Sequence, residues 1–137
     1  YSGGLQSDKK PRMFQKLTAV AAWACLGFII YATLSSASAR PELTATEPVI
    51  AVFVERFGAY GLLGFLFFLS YPRRITVICL IVFGSAILLE WLQIFTPDRD
   101  ARVIDAMEKV AGGAAGMLAG RACIALADRR ARNATPL

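Results

Sequence analysis

The chain contains no histidine. That removes the commonest haem ligand, the usual chlorophyll ligand and most zinc sites. Cysteine is scarce. Cys25, Cys79 and Cys123 each lie inside an apolar run, and no two share a redox or metal-binding spacing. They read as small buried hydrophobes, so neither a disulfide nor a metal cluster is expected. Charge is thin as well. Only 18% of the 137 residues are Asp, Glu, Lys or Arg, against roughly 25% in a soluble domain. No Ser-Lys pair and no carboxylate cluster of metal-site type completes a catalytic set. The expectation is a protein that is not an enzyme and carries no cofactor.

The charges that exist are clustered between long uncharged stretches, which is the pattern of a polytopic membrane protein. A membrane helix needs about 20 apolar residues. Leu17–Leu34 is one such run. Val49–Tyr71 is a second, interrupted near its start by Glu55 and Arg56. Ile75–Phe95 is a third, with Glu90 and Gln93 near its end, and Val110–Ala127 is a fourth, with Arg121 alone inside it. The brief link Pro72-Arg73-Arg74 fits an antiparallel helical hairpin. Only helices satisfy the backbone in lipid at these lengths. The fold class is therefore all-α, an integral membrane bundle of four transmembrane helices over residues 17–127. Basic tails flank it at residues 1–16 and 128–137. The first run has a second reading, a cleavable signal peptide. Lys9, Lys10, Arg12 and Lys16 would form its basic region, and Ala37-Ser38-Ala39 its cleavage site. Its apolar length favours an uncleaved anchor.

Lysine and arginine counts set the direction. One side holds Lys9, Lys10, Arg12, Lys16, Arg73, Arg74, Arg129, Arg130 and Arg132; the other holds Arg40, Arg99, Arg102 and Lys109. The richer side is expected to be cytoplasmic, which puts both termini inside. The net charge of +5 suits a membrane surface, and membrane lipids are expected partners. There is no nucleic-acid motif, so no nucleic-acid partner is expected.

The third run ends, and the fourth begins, in polar residues that the bilayer should reject: Glu90, Gln93, Arg99, Asp105 and Lys109. Glu90 and Gln93 share a helix face. A carboxylate at the helix centre costs about 2.5–3.5 kcal/mol on insertion scales, and less near the interface. A partner inside the bundle is expected to relieve it. Arg56, entering the second run from the same side, is the expected cation, with Gln93 bridging. Asp105, Glu108 and Lys109 are expected in an outer loop, with Asp105 and Lys109 four apart and able to pair if that loop is already helical. Two roles stand open for this cluster: a structural clasp that sets helix register, or an outward-opening site for a headgroup, ion or substrate. Further on, Gly112, Gly116 and Gly120 recur every four residues beside Ala111, Ala115 and Ala119. Such a ridge lets another helix approach closely, within the chain or on another protein.

This stretch resembles the signature of the VanZ-like membrane protein family. The matching residues are Glu90, Gln93, Pro97, Arg99, Asp105, Gly112 and Gly116, in register. Lys109 stands where that family carries asparagine. "ERFGAY" supplies Arg56, Phe57 and Tyr60, with Arg56 where the family commonly has histidine. The resemblance covers about Pro48–Gly120 and implies a small multi-helix membrane protein. The family's named member is linked to glycopeptide-antibiotic resistance. Arg56 and Lys109 both add positive charge to the pattern and supply counter-charges for Glu90 and Asp105, which favours a static clasp. The function expected from the whole sequence is a non-catalytic accessory or structural subunit of a larger complex in the bacterial inner membrane, of respiratory or photosynthetic type. The alternative is binding or modification of an envelope lipid or cell-wall precursor at the outer polar cluster.

Overall fold

The structure is a computed structural model that describes residues 9–39, 49–95 and 103–134. It contains four helices: α1 Lys9–Ala39, α2 Val49–Ser70, α3 Ile75–Ile94 and α4 Val103–Asn133. All four are long and apolar enough to cross a membrane. At about 1.5 Å per residue, α3, with 20 residues, matches the roughly 30 Å hydrocarbon core. The 31 residues of α1 and of α4 exceed it, so both helices extend past the expected spans at 17–34 and 110–127.

Proline makes the α2–α3 hairpin. Pro72 pushes Tyr71 out of the helical region. Arg74 N–H then donates to Tyr71 O at 3.0 Å, closing a four-residue turn with proline in its second position. Arg74 O accepts from Ile78 N–H at 3.1 Å and opens α3.

Each helix sends one narrow stripe inward. Ala22, Leu26 and Ile29 come from α1, and Tyr60, Leu63, Phe67 and Phe68 from α2. Ile78, Val82, Ala86 and Leu89 come from α3, and Met117 from α4. The spacings of three and four are those of a single helical face. The outside is as oily as the inside: Val20, Phe28, Leu80, Ile87 and Leu118 are all exposed. A soluble monomer does not display apolar surface on this scale. Together with the four spans, it makes this a multi-pass membrane protein. The buried hydroxyls of Thr18 and Ser70 bond within their own helices. Thr18 Oγ1 donates to the carbonyls of Phe14 and Gln15, and Ser70 Oγ to that of Leu66 at 2.7 Å.

The closest seam joins α2 and α4, which run parallel. A Cβ on Gly116 would collide with the carbonyl of Gly61, and one on Gly112 with the carbonyl of Phe57. A Cβ on Gly64 would meet the carbonyl of Gly113. Here backbone lies on backbone. None of these glycines has positive φ, so what they contribute is the missing side chain. Gly120 packs on the ring of Phe68, while Gly113 accepts the Val82 side chain of α3 from the other side. α3 runs antiparallel to α4, and α1 lies against α2 with Trp23 edge-on to Phe67, ring centroids 5.3 Å apart.

The packed part of α4 runs from Asp105 to Ile124. That is roughly one turn earlier than the apolar run Val110–Ala127. The shift has a plain cause. Reading spans by absence of charge discards Asp105 and Lys109, but both are neutralised inside the bundle.

Candidate functional site

The polar end of the bundle is built by three helices. Glu90 sits one turn before the end of α3, and Lys109 lies less than two turns into α4. Both are buried, at 8% and 4% exposure. Lys109 Nζ donates to Glu90 Oε1 in a direct ion pair. Beside it, Arg56 of α2 reaches Asp105 of α4, with Nη1 2.7 Å from Oδ1. Glu108 lies within 4.0 Å of the same guanidinium. Asp105 also stands in the first turn of α4, where a carboxylate is favoured by the helix dipole.

The expected pairing is therefore exchanged. Arg56 does not serve Glu90; it serves Asp105 and Glu108, and Lys109 serves Glu90. The expected Asp105–Lys109 pair does not form either, although α4 does start early. The parallel register of α2 and α4 sets Arg56 level with the first turns of α4. The antiparallel α3 brings Glu90 to the next turn, where Lys109 lies. Each acid meets a cation from another helix, so the two pairs tie α4 to α2 and to α3 separately.

Glu90 and Gln93 belong to the same end of α3, but the Gln93 side chain lies outside the described residues. Arg99 lies outside them too, as does Pro97. Gly112, Gly116 and Gly120 line the face of α4 that meets α2. The ridge is used within the chain, leaving Ala111, Ala115 and Ala119 exposed beside it.

In the sequence Tyr60 enters only through the family resemblance, with no role attached. Its ring is buried at 1% exposure, behind Glu90 and opposite Ser85 of α3. Its hydroxyl makes no hydrogen bond of ordinary geometry. The neighbouring Ser85 hydroxyl donates instead to Val82 O at 2.9 Å. The signal available was its place in "ERFGAY", one helical turn beyond Arg56.

Chemically, the cluster sets two cations against three acids where the helices meet. Both carboxylate–cation pairs are direct, and among the described residues no group of three or more His, Cys, Asp or Glu is arranged to hold a metal ion. Two further features lie at the opposite end. A hollow of about 360 Å³ is lined by Gln15, Ser70, Tyr71 and the Pro72–Arg74 turn. An apolar groove of about 270 Å³ runs between α3 and α4, with Arg121 at one end. Compared with protein-family models, with curated proteins and with solved structures, the chain matches none.

Proposed function

We propose that the chain is a VanZ-like, non-catalytic subunit of a larger integral membrane complex, held in the bacterial inner membrane with both termini cytoplasmic. The observation that carries this reading is the outer face of α1. Leu17, Val20, Ala21, Ala24, Phe28 and Tyr31 recur at helical spacing, and all are exposed. The face has small residues at its centre and large ones at its ends, so a partner helix can seat between them. Meanwhile the charges of the polar end are engaged with one another, and their arrangement supports a clasp more than a site. Purification in mild detergent tests the proposal. A photo-crosslinker at Ala24 is expected to capture a second membrane protein, while one at the exposed Leu80 of α3 captures none. A chain that migrates alone and monomeric, with no adduct from Ala24, sinks it.

The alternative, an envelope-lipid or cell-wall-precursor site at the polar end, rests on the family resemblance and on the unbonded Tyr60 hydroxyl beside Glu90. Glu90→Gln separates the two. A clasp loses thermal stability and abundance. A site loses function while the protein stays folded.

A further inference from the structure

At the end opposite the clasp, α3 and α4 diverge around a groove. Phe68 and Met117 form its floor, and both are buried. Phe83, Ala114 and Leu118 form its walls. Ile75, the first residue of α3, and Arg121 stand at its mouth. Ile75 follows directly on Arg74 of the hairpin turn, so the mouth lies at the edge of the apolar slab. From Ile75 to Phe83 the groove climbs α3 by about 12 Å, at roughly 1.5 Å per residue. It is therefore an apolar channel that enters the hydrocarbon from the headgroup level.

Charge tells what fits it. Arg121 is exposed, and no described residue pairs with it. The nearest acid on its own helix is Asp128, seven residues on. Around the mouth cations outnumber that one acid: Arg73 and Arg74 stand on the turn, and Arg129 and Arg130 lie beyond Asp128 on α4. An apolar channel open sideways to the bilayer, with one unneutralised guanidinium at headgroup height, has the shape and charge of an anionic phospholipid bound tail-inward.

We propose that this groove is a binding site for one anionic glycerophospholipid, with an acyl chain along Phe83, Ala114 and Leu118 and its phosphate on Arg121. A guanidinium matches a phosphodiester in geometry as well as in charge. Lysine tails elsewhere on this end attract anionic lipid diffusely; this site holds one molecule.

The test uses the full chain in mild detergent, with native mass spectrometry after addition of phosphatidylglycerol or phosphatidylcholine of identical acyl chains. The wild-type protein is expected to retain one phosphatidylglycerol with about fivefold preference, the value for one arginine against an anionic headgroup. Arg121→Gln is expected to abolish the preference while weak binding of both lipids persists. Ala114→Phe, which fills the groove, is expected to lower retention of both. Arg129→Gln, on the same helix but beyond the groove, is the control and is expected to keep the preference. Equal retention of the two lipids by the wild type overturns the proposal. So does a preference that survives Arg121→Gln or that falls equally with Arg129→Gln. Displacement of the lipid by excess inorganic phosphate would make this a free-anion site and overturn the lipid assignment. Should Ala114→Phe fail to fold, the Arg121 and Arg129 variants still decide the matter.

Discussion

The two halves of α4 solve the same problem in opposite ways. From Val103 to Gly120 the helix is fixed by its neighbours. Asp105 and Lys109 have cations and acids from α2 and α3, and Gly112, Gly113 and Gly116 lie on backbone or on Val82. From Arg121 to Asn133 nearly every residue is exposed, and the charges are basic apart from Asp128. The first half neutralises its charge with protein. The second leaves its charge for whatever surrounds it, and a membrane surface is the natural counter-ion. Polar residues in a membrane helix thus have two distinct fates, and hydropathy alone does not separate them.

The largest effect should come from the glycine seam of the first half. Gly116→Ala adds one methyl where the Gly61 carbonyl already sits. Flexible side chains can yield to such an intrusion, but backbone cannot, so α2 and α4 must part along their length. A loss of at least about 3 kcal/mol is expected, seen as collapse of the thermal transition in detergent. Gly58→Ala on α2 sharpens the comparison. Nothing lies within 4 Å of a Cβ there, and alanine favours a helix over glycine by about 1 kcal/mol. That variant should be neutral or slightly more stable. If the two substitutions behave alike, close backbone packing does not hold these helices together.

Next in size are the ion pairs. Lys109→Met leaves Glu90 buried without its cation, and a loss of about 3 kcal/mol is expected for breaking a buried pair. The double variant Glu90→Gln with Lys109→Met removes both charges and should recover most of that loss, because the penalty comes from the stranded carboxylate. Thermal melts of the two single variants and the double variant give the coupling directly. Additive losses would mean that Glu90 and Lys109 do not interact. Arg121 is the counterpart in the second half. Its replacement by glutamine should leave the melt unchanged, since no described residue depends on it.

Much of this was legible beforehand, and the failures share one cause. Four helices followed from four apolar runs, and the hairpin from Pro72. The Gly112, Gly116 and Gly120 ridge was visible as a spacing, but nothing in the spacing said which helix it would meet. Gly113 lies one residue off that period and carries no such signal, although it contacts two helices. Charged residues ordinarily bound an apolar run, so the fourth run begins at Val110 although α4 begins at Val103. Asp105 and Lys109 break that rule because partners distant in sequence cancel them, and such partners show only when register is known. Arg56 was assigned to Glu90 on proximity to the same end of the bundle. A difference of one helical turn, fixed by the glycine contacts, gave it to Asp105 instead.

The smallest predicted effect concerns a polar atom of α2 that, among the described residues, is buried beside the fixed half without a hydrogen bond. Tyr60 contributes a buried ring to the core and carries a hydroxyl without a hydrogen bond. Ser85 faces it, but its own proton goes to the Val82 carbonyl. A buried, unbonded hydroxyl costs stability, so Tyr60→Phe should leave the protein unchanged or raise its stability by up to about 1 kcal/mol. The sign carries the information. A loss of similar size would show that Tyr60 donates to a Ser85 lone pair or to a trapped water next to Glu90. The polar end would then be a connected network of α2, α3 and α4 rather than two separate pairs. Combining Tyr60→Phe with Lys109→Met distinguishes these cases: separate pairs give additive losses, whereas a shared network gives less than their sum.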